Sequence, residues 1–251
     1  MATVNGGALD GPGVEATQDA LFGGSLVLFQ PQRGAGYRTN VDALLLAGFA
    51  AAPTSRPAPL AFDLGAGVGA VGLALLRLGA ARRAVFVEID ETPAAMARRN
   101  LDANGWTDRG EVIRGDVRDV APAHRGEASL VVCNPPYVAP GRGRVAHAEE
   151  RARVGDLGVF VRAARQVAGR RARVCFVYPA HELVTIVSTL AAEGLHAKRA
   201  RFVQASASAP ARLVLVEAQA ARPGGLLVVP PLVERDARGY TPEMESLLAR
   251  G

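Results

Sequence analysis

The stretch LAFDLGAGVGA, Leu60 to Ala70, decides how the rest of the chain is read. Its first half is a short apolar run that breaks into glycines. The following VGLALLRLGA (Val71 to Ala80) has apolar residues at helical spacing. A buried strand, a tight glycine turn and a helix are therefore expected in direct succession. The same rhythm then repeats. AVFVEID (Ala84 to Asp90) reads as a second strand, and Thr92-Pro93 opens the helix AAMARRNLDANG. Thr can cap free N–H groups, Pro fits a first turn, and Gly105 can close the helix with φ > 0. EVIRGD (Glu111 to Asp116) and ASLVVCNP (Ala128 to Pro135) read as strands three and four, and DLGVFVRAARQVAG as a helix. RVCFVYP (Arg173 to Pro179) is a fifth strand, ELVTIVSTLAAEG a helix, and KRARFV and ARLVLVEAQ are two closing strands.

Strands alternating with helices argue for a parallel sheet covered on both faces. The last two strands are joined by QASASAP, which is too short for a helix, so they should pair antiparallel at one edge. The expectation is an α/β, Rossmann-like fold with a seven-stranded, mostly parallel sheet and an antiparallel edge hairpin. The Pro-rich AAPTSRPAP (Ala51 to Pro59) reads as a linker. It divides the chain into a flexible tail over 1–20, a hairpin and helix appendage over 21–59, a core over 60–220, and a C-terminal appendage over 221–251.

Composition sets further bounds. Hydrophobic residues make up 49% of the 251, enough for a substantial core. No apolar run approaches the ~18 residues of a membrane span, and the N-terminus lacks a secretory pattern. Cys133 and Cys175 lie in apolar strand-like runs, which reads as buried reduced thiols in a cytoplasmic protein. His124, His147, His181 and His196 are scattered, and no Cys/His spacing suits zinc, so no metal is expected. The net charge is +5, which permits a polyanionic partner. Lys198 is the only lysine; 28 of 29 basic residues are arginine. That bias also suits GC-rich coding, so local clusters say more than the total. Arg142, Arg144, Arg151 and Arg153 fall in one loop, and an arginine fork binds two phosphate oxygens at once.

In an open α/β sheet, ligands bind outside the carboxyl ends of the strands. The residues ending the strands therefore form one candidate site: Asp63 with Gly65, Gly67 and Gly69, then Glu88 and Ile89, then Asp116 and Val117, then Asn134 to Tyr137. Gly65-Ala66-Gly67-Val68-Gly69-Ala70 satisfies the dinucleotide pattern G-x-G-x-x-G/A. Glycines alone, however, name no ligand, and a plain strand-to-helix turn has the same composition. Glu88 would hold ribose hydroxyls with either a dinucleotide or another nucleoside. The carboxylates Asp63 and Asp116 disfavour a pyrophosphate. They suit S-adenosylmethionine, which carries a sulfonium and an ammonium and no phosphate. Asp63 can attract that positive end through the loop, Asp116 can accept from the adenine amino group, and the Val117 backbone can meet the ring. As a lone residue, Asp116 in G-D-x-x-D reads as a turn former.

Asn134-Pro135-Pro136-Tyr137 supplies the chemistry. An amino nitrogen conjugated to a ring or carbonyl is planar and a poor nucleophile. The Asn134 side-chain oxygen and the Pro135 backbone oxygen can accept its two N–H bonds and favour a geometry with an available lone pair. Pro136 has fixed φ and no competing N–H, and Tyr137 offers a ring for stacking. Catalysis of this kind is positioning and hydrogen-bond stabilisation. An ordinary turn bearing a surface aromatic is the plainer reading of the same four residues.

DLGAGVGAVGLALL, VEID, GDVRD and CNPPY resemble the successive motifs of class I S-adenosylmethionine-dependent methyltransferases of the N6-adenine type. FQPQRGAGYRTNVDALLLAGFA (Phe29 to Ala50) and the closing RDARGYTPEMESLL resemble the bacterial tRNA1(Val) (adenine-N6)-methyltransferase family. The resemblance covers nearly all of the chain after about residue 21. It implies the class I methyltransferase fold, cofactor contacts from Asp63, Gly65, Gly67, Glu88, Ile89, Asp116, Val117 and Asn134, and a reaction site at Asn134, Pro135, Pro136 and Tyr137. It also implies a lid from Thr39 and Asp42, although Asp42 reads equally well as a helix cap before ALLLAGFA. The implied partner is tRNA, met by the arginines of AEERARVGD and its upstream loop, and the protein is expected to be a monomer without membrane attachment. That loop departs from the family, since Arg153 lacks the usual following His-Glu pair, which puts substrate identity in doubt. Four alternatives stand beside this reading. One is methylation of a release-factor glutamine, which shares the Asn-Pro-Pro-Tyr site. Another is N6-adenine or N2-guanine methylation of a different RNA. From other classes come a nicotinamide oxidoreductase, for which no Tyr-Lys or His constellation is visible, and a non-catalytic RNA-binding protein.

Overall fold

In the computed structural model, residues 16–32, 41–52, 56–136, 157–220 and 223–249 are described. Thr39, Tyr137, Arg142, Arg144, Arg151 and Arg153 lie outside them, as does most of the expected tail. The sheet follows from the patterning of its central strands. In β6 (Ala128–Cys133), Leu130 and Val132 enter the apolar cluster on one face, while Val131 and Cys133 enter the cluster on the other. β7 (Ala168–Pro179) divides the same way, Cys175 and Val177 against Val174 and Phe176. A continuous apolar strand is thus one buried on both sides, as expected of a parallel sheet.

The sheet has eight strands in the order β10-β8-β9-β7-β6-β3-β4-β5. The strands β3 (Ala58–Leu64), β4 (Ala81–Glu88), β5 (Gly110–Arg114), β6 and β7 are parallel. β9 (Ala211–Gln219) runs antiparallel between β7 and β8 (His196–Gln204), as the short connection requires. The C-terminal appendage contributes the eighth strand: β10 (Leu227–Val233) pairs parallel with β8. Its LVVPPLV sequence is strand-like but carries two prolines, which cannot donate to a ladder. The register shifts between Val229 and Leu232, so Pro230 and Pro231 fall at an irregularity on a sheet edge.

Helices α2 (Ala70–Arg77) and α3 (Glu91–Ala103) cover one face together with α1 (Val41–Ala51). α4 (Val117–Ala123), α5 (Leu157–Val167) and α6 (Leu183–Ala192) cover the other. Phe86 anchors the first layer, and Phe62 and Phe176 the second, each fully buried. Burying such a side chain stabilises the fold by about 1.5–3 kcal/mol. Two local expectations shift. α3 begins at Glu91 after Asp90, so Thr92 lies inside the helix and does not cap it. Asp42 lies in the first turn of α1 rather than before it.

The two ends of the chain pack on the same layer. The hairpin β1 (Ala16–Leu21) and β2 (Leu26–Pro31) lies against α3 through two asparagines one turn apart. Asn104 bonds both Val27 N and Val27 O, and Asn100 bonds both Phe29 N and Phe29 O, so the amides imitate a neighbouring strand. The C-terminal helix α7 (Pro242–Ala249) buries Met244 and Leu247. Leu247 lies so close to Gly48 of α1 that a Cβ there would overlap it.

Candidate functional site

β3 and β6 are neighbours, and the chain order reverses between them, which is where open α/β sheets bind ligands. Register places Leu64 beside Val87 on one side and Cys133 on the other. The next residues, Gly65, Glu88 and Asn134, therefore emerge together at the carboxyl edge. Folding thus brings the first, second and fourth strand ends into one site, with Asp116 at the end of β5.

The glycine loop is tied down by backbone and carboxylate. Gly65 N and Ala66 N donate to Val87 O at 2.9 and 3.0 Å. Gly67 N donates to Glu88 Oε2 at 2.7 Å, and Asp90 N donates to Glu88 Oε1 at 2.9 Å. Gly65 and Gly67 have φ of 70° and 56°, the left-handed region that favours glycine. A Cβ at Gly65 would press on Phe160 of α5, whereas one at Gly67 would meet nothing within 4 Å. The space in front of Gly67 is open, with the Glu88 carboxylate beside the loop. Ile89, 43% exposed, offers an apolar surface next to Glu88.

Asp63 sits beneath this loop, 1% exposed, and its Oδ2 accepts from Gly72 N at 2.8 Å. Burial lifts its pKa from the ordinary 3.8 to about 7; the Gly72 hydrogen bond opposes this, and the charge of Glu88 adds to it. Asp63 is thus closed off from solvent and bonded to the first turn of α2. The same burial holds Cys133 well above the usual thiol range, with Asp63 adding to it, so neither thiolate nor nucleophile is expected there.

Asp116 caps α4: its Oδ1 accepts from Arg118 N at 2.8 Å and from Arg118 Nε at 2.9 Å. The Arg118 side chain holds its carboxyl below the ordinary range. The turn-forming role of Asp116 is thus realised, and a ligand would share it with Arg118. Val117, behind it, is buried in the second layer. Asp42 is tied to the far end of the chain: its Oδ1 accepts from Arg212 at 2.8 Å, and Arg212 also pairs with Glu234.

Asn134 is half-buried, Pro135 buried and Pro136 exposed. Among the described residues the Asn134 amide has no hydrogen-bond partner, in contrast to Asn100 and Asn104, whose amides are used in packing. That amide is left unengaged at a strand end beside the glycine loop. Asn100, which the sequence reading did not single out, also belongs to the site's frame. It is fully buried, and its Nδ2 donates to Val68 O of the glycine loop at 2.9 Å as well as to Phe29 O. Phe160 was likewise missed, because an apolar helix residue carries no sign of the loop it will touch. Among the described residues no group of three His, Cys, Asp or Glu is placed to hold a metal, and no helix is long and apolar enough to cross a membrane.

Comparison with known proteins finds likeness over part of the chain. Residues 42–152 match the methyltransferase small domain. A tRNA1(Val) (adenine(37)-N6)-methyltransferase of Pectobacterium carotovorum is 30% identical over 146 residues, covering 57% of this chain and 58% of that protein. A 4-amino-L-phenylalanine/4-methylamino-L-phenylalanine methyltransferase of Streptomyces pristinaespiralis is 39% identical over 84 residues, covering 34% of this chain and 27% of that protein. The chain thus spans less than two thirds of the length of either relative. A crystal structure described as a predicted O-methyltransferase, Atu636 of Agrobacterium tumefaciens, shares the fold with a TM-score of 0.67 at 22% identity, covering 84% of this chain and 97% of that one.

Proposed function

We propose that this chain, which carries an S-adenosylmethionine-dependent methyltransferase small domain and is distantly related to the tRNA1(Val) enzymes, methylates the exocyclic N6 of an unpaired adenine in tRNA. The observation that carries the reading is the placement of Asn134 beside Gly65 at the switch point, with Pro135 and Pro136 directly behind it. Bound in front of Gly67, S-adenosylmethionine supplies an electrophilic methyl group on a sulfonium. Gly65, Gly67 and Glu88 would hold its nucleoside and Ile89 would line the base, while Asp63 and Asp116 add the acidic surroundings that suit its positive charge.

The work of the chain's own residues is to present a nitrogen. The Asn134 side-chain oxygen and the Pro135 carbonyl accept the two N–H bonds of the amino group. That orients its lone pair towards the methyl carbon and stabilises the positive charge that grows on nitrogen. On transfer the sulfur would keep the electron pair of the C–S bond and leave as the thioether S-adenosylhomocysteine, and the methylated nitrogen would release one proton to water. Tyr137 stacks on the base, which must be flipped out or already unpaired. Arg142, Arg144, Arg151 and Arg153 contact phosphates on either side of it. Such a substrate places the protein in the cytoplasm.

The deciding experiment uses radiolabelled S-adenosylmethionine with total tRNA, a peptide release factor and 4-amino-L-phenylalanine in parallel. N6-methyladenosine in the tRNA digest supports the proposal. Label confined to glutamine or to the free aryl amine would overturn it.

A further inference from the structure

The chain's closing segment builds a small structure on the same edge of the sheet as the site. Beyond β10, Glu234 N donates to Gln204 O at 2.8 Å and Arg235 N to Ala205 O at 3.1 Å, which carries the chain past the end of β8. There β11 (Arg235–Asp236) and β12 (Gly239–Tyr240) pair antiparallel as a two-residue ribbon. Thr241 closes it, with its N donating to Glu234 O and its hydroxyl to Val233 O at 3.0 and 2.6 Å. Glu234 is fixed in turn by Arg212. The ribbon is thus tethered on both sides and is a fixed surface.

Its composition is unusual for its position. The Arg235 guanidinium lies over the Tyr240 ring, 4.2 Å from the centroid, and Tyr240 is 40% exposed. Arg238 stands exposed at the tip, its backbone N held by Asp236 Oδ1 at 2.7 Å. Elsewhere on this edge arginines are matched with carboxylates: Arg114 with Glu91, Arg118 with Asp116, and Arg212 with Asp42 and Glu234. Among the described residues neither Arg235 nor Arg238 has such a partner.

We infer that the Arg235–Tyr240 ribbon is a second RNA contact, in which the stacked Arg235–Tyr240 pair receives an unpaired base and Arg238 binds a phosphate. This rests on the tRNA reading and deepens it. Stacked aromatic and guanidinium planes with exposed positive charge are what single-stranded nucleic acid requires. The ribbon stands three to four strand spacings from Asn134, about 14–19 Å at the usual ~4.8 Å between strands. An amino acid in the pocket cannot reach so far, whereas a few nucleotides flanking the reacting base can.

The test uses the full chain carrying Tyr240→Ala, Arg238→Glu and, as the charge-keeping control, Arg238→Lys, with thermal melts to confirm folding. Kd for tRNA is measured across a salt series, alongside Kd for S-adenosylmethionine and the single-turnover rate at saturating tRNA. Tyr240→Ala is expected to weaken tRNA about tenfold, within the 1–3 kcal/mol of a stacked base. Arg238→Glu should weaken it and lower the salt slope by about one, with Arg238→Lys restoring both. Cofactor affinity and the saturated rate stay unchanged. If the wild type methylates tRNA and the variants bind it within twofold of wild type, the ribbon is no contact and the tRNA reading survives. If the wild type methylates no RNA, the reading and the inference fall together.

Discussion

The carboxylate of Glu88 holds the amide of Gly67 at 2.7 Å, so the acid at the end of one strand shapes the glycine loop that follows another. Its second oxygen holds Asp90 N. Glu88→Ala removes both loop supports and the acceptor for a ribose hydroxyl. Since bonds to a charged group contribute about 1.5–3 kcal/mol, S-adenosylmethionine should bind about 10–100-fold more weakly. Glu88→Gln, which keeps one acceptor, should lose less. Calorimetric titration checks both; wild-type affinity in Glu88→Ala would place the ribose elsewhere.

Asn134 separates binding from chemistry. Asn134→Ala should reduce turnover by at least 10²-fold, the scale of one lost hydrogen-bonding group at a reacting centre. Cofactor binding through the proposed Gly65, Gly67 and Glu88 contacts should survive, so that any contact from Asn134 is minor for affinity. Single-turnover rates and cofactor titrations on one preparation read both. A variant that loses cofactor and rate together would assign Asn134 to the cofactor contacts.

Asp63 links stability to pH. Its pKa is about 7 in the fold against 3.8 for an ordinary aspartate. Between these values the folded protein keeps a proton that the unfolded chain has released, so stability falls as pH rises from about 4 through 7, and the loss is complete above that. Urea unfolding at pH 5, 6, 7 and 8 should show this decline. Asp63→Asn, which retains an acceptor for Gly72 N, should flatten it. Parallel curves for the two proteins would refute the assignment.

Glu217 is buried between Arg173 and Arg199, each with one Nη on its Oε2 at 3.0 Å. The same two arginines bond Ala50 O and Phe49 O, the last turn of α1. Glu217→Ala would leave two cations at a low-dielectric site where both Nε atoms already lack partners. A cost of about 3–5 kcal/mol is expected from chemical denaturation. A triple change of all three residues to Met should recover most of it; no recovery would mean that the arginines act through α1 rather than through Glu217.

Asn100 ties the β1–β2 hairpin to the glycine loop. Asn100→Ala leaves Phe29 N, Phe29 O and Val68 O without this partner, for an expected loss of at least about 1–3 kcal/mol from the buried Val68 O, to which the part-buried Phe29 groups add. Asn104 bonds the hairpin and the Asn100 carbonyl but not the glycine loop, so Asn104→Ala should leave cofactor affinity unchanged, while Asn100→Ala should lower it. Equal effects on the cofactor would remove Val68 from the argument.

The strand ends at Asp63, Glu88, Asp116 and Asn134 were legible because local chemistry writes them. An apolar run that meets glycine, acid or proline announces its own termination, and the parallel order of the strands follows from the helices between them. The N-terminal half of the site was readable for the same reason. Asp42 was ambiguous because its partner, Arg212, is 170 residues away. α4 was passed over because seven residues containing Pro122 make a weak helical signal.

Periodicity and turn residues were enough to set the alternation of strands with helices, and hence an α/β sheet whose candidate site lies at the carboxyl edge. Only the tertiary structure decided that Asp63 lies under the loop, that Asn100 joins hairpin to loop, and that the closing segment adds an eighth strand and a basic ribbon to the same edge. Periodicity and turn chemistry act between residues a few positions apart. Burial, carboxylate pairing and edge pairing act between residues that become neighbours only when the chain has folded.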